Sequence, residues 1–169
     1  MRARKVGEMV EARNAGDRIN GTVVHKSAVS HRVFDQRSKA VDRRRCETKT
    51  YEYLGGTIRG QGGISLGING MPDHVHVLAK LRPDKAVSDV LRDLKANASG
   101  WMHDIFPEIR DFSWQRGYGA FSVSFSQVEK VRRYIAEQEI HHQGRDFRDE
   151  FIALLVKNGV DFDARYLEI

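Results

Sequence analysis

Met71-Pro72-Asp73-His74-Val75-His76-Val77-Leu78 is the stretch from which the rest of the chain can be placed. Read as a strand running from His74 to Leu81, its period of two sets His74 and His76 side by side on one face, with Val75 and Val77 on the other. Just before it, Ile64-Ser65-Leu66-Gly67-Ile68 alternates as a half-buried strand, and Asn69-Gly70 is a turn signal. So short a connection implies an antiparallel pair. Two imidazoles converging on one sheet face could hold one metal ion.

Working outward, Asp84 and Ser88 are both plausible N-caps for a segment carrying Val90, Leu91, Leu94, Ala98, Trp101, Met102 and Ile105 at spacings of three and four. That is one face of a long amphipathic helix, and Pro107 lies just past its end. Phe112 to Arg116 and Phe121 to Ser124 read as further strands around Gly117-Tyr118-Gly119. Ser126 and Glu129 form a capping box, so a helix is expected from Gln127 to about Gln143, with Gly144 as its stop. A last helix from about Phe147 turns Phe151, Leu154 and Leu155 inward and ends at Asn158-Gly159. Toward the N-terminus, Tyr51-Glu52-Tyr53-Leu54 reads as a helix end, with Gly55-Gly56 as breakers or a close packing point.

The 169 residues fit one domain, or one domain with an appendage, and are 40% hydrophobic and 30% charged, an ordinary globular balance. No apolar run is long enough to span a bilayer and the first residues contain no apolar block, so the expectation is a soluble, cytoplasmic protein without a membrane partner. The lone Cys46 cannot form an intramolecular disulfide and is read as incidental. The net charge of +5 suggests a polyanionic partner, but residues 1–50 hold 13 Lys/Arg against 6 Asp/Glu while the remainder holds 15 against 17. The first 48 residues show no sustained period and read as a basic, solvated arm. A nucleic-acid argument for the rest must therefore rest on particular sites.

The capped helix supplies chemistry of its own. Tyr134 and Gln138 are four apart and share a face, with His141 one turn on, while Val128, Val131 and Ile135 form a neighbouring apolar stripe. Packed across the His74/His76 face, this helix would offer the Gln138 carbonyl oxygen as a third ligand and place Tyr134 beside it. Two imidazoles and an amide oxygen leave positions open, which suits Mg²⁺ or Mn²⁺ holding a substrate phosphate better than a closed zinc site. Such an ion would assist attack by a phenol, a weak nucleophile at neutral pH, and yield a phosphotyrosine ester. By residue type alone other readings stand beside this one. An H-x-H strand also fits surface or satisfied histidines, Tyr134 fits a core or rim position, and His141-His142 fits a helix-end dipole pair. A nucleotide hydrolase using histidines is disfavoured, because no third histidine continues the H-x-H pattern.

Taken together, Gly70-Met71-Pro72-Asp73-His74-Val75-His76, Leu94-Lys95-Ala96-Asn97 with Trp101, Gln115 to Val123, and Tyr134-Ile135-Ala136-Glu137-Gln138 with His141-His142 resemble the single-tyrosine HUH transposases, and most nearly their REP-associated branch. The resemblance runs from about Tyr51 to Tyr166. It implies an α+β, ferredoxin-like (RRM-like) antiparallel sheet backed by helices, acting on single-stranded or hairpin DNA as a monomer or homodimer. It also implies metal ligation by His74, His76 and Gln138, and a Tyr134 nucleophile that leaves a 5′-phosphotyrosine and a free 3′-OH. Lys95, Arg116, Arg132 and Arg133 are the candidate DNA contacts. A non-catalytic hairpin-binding or inactive pseudogene product on the same scaffold is the alternative.

The opening of the chain departs from the family, whose central strand is of the type LLYHIVFSTK. Lys26 to Gln36 does not match it, but possible codons for those residues, read one nucleotide later, can spell SLLYHIVFSTK. Those for Lys39 to Thr50 can likewise spell KPLIDDAVKRRL. The expectation is an atypical, disordered or out-of-frame segment over residues 1–48, a transposase domain over 49–169, and a central strand lost or replaced.

Overall fold

The structure is a computed structural model whose described residues are 10–11, 22–28, 43–109, 112–114, 118–138 and 147–159. The two strands that opened the sequence reading are there: β3 (Ile64–Met71) and β4 (His74–Lys80) pair antiparallel from Ile64↔Lys80 to Met71↔His74, with an irregularity between Ser65 and Gly67. The reversal sits at Pro72-Asp73 rather than at the expected Asn69-Gly70, which instead lies within β3. Gly70 faces Val75 so closely that a Cβ there would overlap the His74 carbonyl oxygen and come within 2.9 Å of the Val75 Cα. Its glycine is thus a requirement of close strand approach, not of a turn. Gly70→Ala is expected to cost about 1–3 kcal/mol, as overpacking does, and to lower the midpoint of thermal unfolding accordingly.

Three further strands complete the sheet: β1 (Val10–Glu11), β2 (Thr22–Ala28) and β5 (Gly119–Ser122), in the order β1-β5-β2-β4-β3. All neighbours are antiparallel except β1, which runs parallel to β5 at the edge. Without β1, the strands in chain order and the helices between them give the ferredoxin-like βαββαβ arrangement, as expected. The central position is filled by Thr22–Ala28, which pairs with β4 on one side (Thr22↔Lys80 to Ala28↔His74) and with β5 on the other (Val23↔Ser122 to Lys26↔Gly119). The central strand is therefore replaced by upstream text; the remainder of the Lys26 to Gln36 stretch, from residue 29, lies outside the described residues.

Helix α1 (Arg43–Gly60) starts within the stretch expected to be an arm and crosses the expected boundary at residue 48. Cys46 and Thr50 of its first turns are buried in the core. Tyr51 to Leu54 is mid-helix, and the helix runs on through Gly55-Gly56, where Gly55 lies against Ser65 and Ile68 of β3. It stops at Gly62, whose φ of 78° lets Gly63 N–H reach the Ile58 carbonyl (3.0 Å) and Gly62 N–H reach Arg59 (2.9 Å), a Schellman closure.

Helix α2 (Val87–Ile105) buries Val90, Leu91, Leu94, Ala98 and Met102, the predicted stripe apart from half-buried Trp101 and the exposed end residue Ile105. Neither expected cap serves: Asp84 is bound by the Arg82 guanidinium at 2.7–2.8 Å, Ser88 is inside the helix, and Ala86 stands at the N-cap. Between α2 and β5, Trp114 contributes only an isolated bridge, so no extended strand forms in 112–114; residues 115–117 lie outside the described residues.

The two faces of β4 now have different neighbours. Val75, Val77 and Ala79 join Leu54 and Ile58 of α1 and Leu91, Leu94, Ala98 and Met102 of α2 in the main core. On the opposite face, which carries His74, His76 and Leu78, lies helix α3 (Val128–Ala136). There Ile135 and Leu78 are buried with Leu66, Val123, Val128, Val131 and Tyr134 packed around them. A short 3₁₀ turn (Phe125–Gln127) precedes α3, so the helix begins a residue later than expected and no side-chain cap bond forms. Helix α4 (Phe147–Lys157) closes the same region through Phe151, whose ring takes the space that a Gly119 side chain would need: a Cβ there would stand 2.5 Å from Phe151 Cε2.

Candidate active site

His74 and His76 project from β4 with 0% and 1% of their surface exposed, their ring centroids 4.9 Å apart and the rings nearly perpendicular. Asp73, at the end of the hairpin turn, lies 2.7 Å from His74 Nδ1. A carboxylate there is an acceptor, so Nδ1 donates and the lone pair of the neutral ring is left on Nε2. That nitrogen points into the site.

From α3, the Tyr134 ring stands edge-on to His76 at a centroid distance of 6.1 Å. One turn on, just past the last residue of α3, Gln138 is fully buried. Its amide nitrogen donates to the Tyr134 carbonyl at 3.4 Å, and its Oε1 has no hydrogen-bond partner. A buried carbonyl oxygen left in this way costs about 1–3 kcal/mol, which a cation or a hydrogen-bond donor would compensate. Asn69 of β3 pins this end of α3, donating to the Ile135 carbonyl at 2.9 Å and the Ala136 carbonyl at 3.3 Å.

A residue absent from the sequence reading completes the cluster. Glu150 of α4 accepts a hydrogen bond from the Tyr134 hydroxyl on Oε1, the same oxygen that lies 3.6 Å from His76 Nε2, while its Oε2 lies 3.9 Å from His74 Nε2. His74, His76 and Glu150 offer ligand atoms all within 4.8 Å of one another, a group able to hold a metal ion.

The profile of the family described as "Transposase IS200 like" matches residues 27–138. The chain belongs to the IS200-like, single-tyrosine transposase family. A curated relative, the ISDra2 transposase TnpA of Deinococcus radiodurans, is 28% identical over 87 residues, 48% of this chain and 62% of its own length. The chain thus spans less than two thirds of that relative. Two solved structures share the fold. A transposase-like protein from Deinococcus radiodurans has a TM-score of 0.52 at 21% identity, covering 77% of this chain and 98% of its own. A REP-associated tyrosine transposase bound to a REP hairpin has 0.55 at 15% identity, covering 92% of this chain and 93% of its own.

In this family member the structure brings His74, His76 and Tyr134 together, with Gln138 buried one turn past Tyr134. Of the four candidate DNA contacts, the three among the described residues lie on two different helices. Arg132 and Arg133 are exposed on α3, with Arg132 3.4 Å from Glu129. Lys95 lies on α2, the helix that covers the other sheet face, with its ammonium 5.9 Å above the Tyr118 ring. Burial pushes the pKa of Lys95 down to about 8. Helix α3 ends at Ala136, with Glu137 as its C-cap, rather than running on to the expected Gln143; Arg116 and the His141-His142 pair lie outside the described residues. Among the described residues, no helix is long and apolar enough to cross a membrane.

Two of the missed residues had ordinary readings. Glu150 sits in the first turn of α4, where acidic residues favour the helix dipole, and Asp73 sits in a turn, where aspartate is common. Only the adjacency of Glu150 to the inward Phe151 hinted at burial.

Proposed function

We propose that this chain is a metal-dependent, single-strand DNA endonuclease and strand transferase that acts on hairpin DNA through a phosphotyrosine at Tyr134. The observations that support this reading are the Tyr134 ring edge-on to buried His76, the neighbouring buried His74, and the buried Gln138 one turn past Tyr134 whose Oε1 has no hydrogen-bond partner. His74 and His76, through their Nε2 atoms, and Gln138, through Oε1, would hold the ion; Mg²⁺ or Mn²⁺ suits this mixed nitrogen and oxygen set with positions left open. Bound there, the ion would polarise a substrate phosphate and neutralise charge as it develops.

The chain's own groups do the rest. Tyr134 is held by its bond to Glu150, so its oxygen is presented in one orientation rather than sweeping through rotamers. Attack of that oxygen on phosphorus forms the tyrosine–phosphate bond and breaks the bond to the 3′ oxygen. The phosphate stays on the 5′ side and a 3′-OH leaves. Because the ester preserves the energy of the broken bond, a free 3′-OH can reverse the step and join strands without a nucleotide cofactor. The hairpin as substrate is supported by the fold shared with the REP-hairpin-bound relative. Arg132 and Arg133 on α3, with Lys95 and Arg116, are proposed to contact the phosphates. A cytoplasmic location and a monomer or homodimer belong to the same reading.

The test is to incubate the full chain with single-stranded hairpin DNA and Mn²⁺ and to look for a covalent adduct on a denaturing gel. An adduct that maps to the Tyr134 peptide and disappears with a chelator supports the enzyme. Hairpin binding with no adduct in either Mn²⁺ or Mg²⁺ overturns it in favour of a non-catalytic binding protein on this scaffold.

A further inference from the structure

Glu150 is buried beside both histidines, and its Oε1 accepts the Tyr134 hydroxyl. Its Oε2 lies 3.9 Å from His74 Nε2 and its Oε1 lies 3.6 Å from His76 Nε2. Both separations exceed hydrogen-bond range. At His74 they could not be bridged by a proton of the neutral ring, because Asp73 fixes that proton on Nδ1 at 2.7 Å and leaves Nε2 as an acceptor. A carboxylate oxygen and an imidazole lone pair face each other there, acceptor to acceptor, in a place where burial of a charge is costly.

The separations suit something between them. Two ligands of an ion bound at about 2.1 Å stand at most about 4.2 Å apart, and both oxygen-to-nitrogen distances fall under that limit. All three residues offer ligand atoms within 4.8 Å of one another. The carboxylate places one oxygen toward each Nε2, so that a single cation could be reached from all three residues.

We infer that Glu150 of the C-terminal helix is a protein ligand of the same metal, so that the site is a two-histidine, one-carboxylate centre to which Gln138 adds its amide oxygen. This rests on the metal-dependent reading above and deepens it. The carboxylate lowers the net charge of a divalent site from +2 to +1 and so raises affinity, while two imidazoles favour Mn²⁺ and similar transition ions over Mg²⁺. It also makes α4, docked by Phe151 against Gly119, part of the catalytic unit. Because Oε1 also receives the Tyr134 hydroxyl, one carboxylate ties the nucleophile to the ion it works beside.

The experiment is calorimetric titration of Mn²⁺ into the full chain without DNA, for the wild type, Glu150→Gln, Glu150→Asp and His76→Ala, with the thermal midpoint of each apo protein measured alongside. Glu150→Gln is expected to weaken Mn²⁺ by at least about tenfold, no less than the loss of an outer-shell partner costs, with the apo midpoint close to wild type. Glu150→Asp, which keeps the charge but shortens the reach, is expected to fall between. Wild-type affinity in Glu150→Gln, alongside lost affinity in His76→Ala, overturns the carboxylate ligand while leaving the histidine site standing. If the wild type itself binds no Mn²⁺, the metal-dependent reading fails and this inference with it. Should Glu150→Gln not fold, Glu150→Asp decides: unchanged affinity there, despite the shorter reach, counts against ligation.

Discussion

Tyr134→Phe is expected to abolish the covalent protein–DNA adduct entirely while leaving hairpin binding and Mn²⁺ affinity within about twofold of wild type. The substitution removes one atom, the phenolic oxygen, which is the atom proposed to attack phosphorus. The ring itself stays, so its edge-on contact with His76 and its packing beside Ile135 and Leu78 survive. What is lost structurally is the hydrogen bond to the Glu150 carboxylate. Bonds to charged groups contribute about 1.5–3 kcal/mol, which for a chain of this length corresponds to a fall of roughly 3–12 °C in the unfolding midpoint. Adduct formation by denaturing gel, binding by titration and the midpoint by calorimetry separate the chemical loss from the structural one. An adduct persisting at wild-type rate in Tyr134→Phe would move the nucleophile elsewhere.

His76→Ala is expected to eliminate measurable Mn²⁺ binding and to reduce adduct formation by at least about a hundredfold. Loss of an outer-shell partner alone weakens a metal site by about 10–100-fold, and here a ring facing the site is removed. His76 is also central to the packing: it is 1% exposed, touches the His74 ring, and is covered by Tyr134. Its truncation leaves a cavity between β4 and α3, and large-to-small core changes of this kind cost about 2–5 kcal/mol. The two effects are distinguishable, because the cavity lowers the apo midpoint while the metal effect appears as loss of the stabilisation that added Mn²⁺ brings to the wild type. A His76→Ala protein that folds, binds Mn²⁺ as before and still forms adduct would remove the histidine pair from the mechanism.

The parts of the site that local sequence reveals are those set by the geometry of one element. The period of a strand puts His74 and His76 on one face, and the spacing of a helix puts Tyr134 and Gln138 on another. The apolar stripe of Val128, Val131 and Ile135 was enough to suggest which way that helix would press. Turn and cap signals were less informative. Asn69-Gly70 looked like a reversal, yet Gly70 is there to let two strands approach. Asp84 looked like a cap, yet it is held by Arg82. In each case a short polar or glycine residue satisfies several local roles, and tertiary contact selects among them.

The N-terminal part shows the same limit on a larger scale. The family resemblance implied that the central strand was lost or replaced, and the replacement, Thr22–Ala28, is set by pairing with β4 and β5 on its two sides. Pairing depends on backbone hydrogen bonds that almost any extended segment can make, so residue identity alone marks it weakly. Helix α1 likewise begins among arginines that read as solvated, because Cys46, Leu54 and Ile58 find their core only when β4 and α2 are present.

By itself, then, the sequence carried the family resemblance, the fold class and the pairing of His74 with His76 and of Tyr134 with Gln138 on shared faces, because each pair is organised by the repeat of a single strand or helix. Only the tertiary structure decided that Glu150 and Asp73 belong with them. Asp73 orients His74 from the end of a two-residue turn. Glu150 reaches the histidines because Phe151 beside it settles over Gly119, which leaves room for a ring by having no side chain. That contact joins segments distant in the chain, and no period within either one records it.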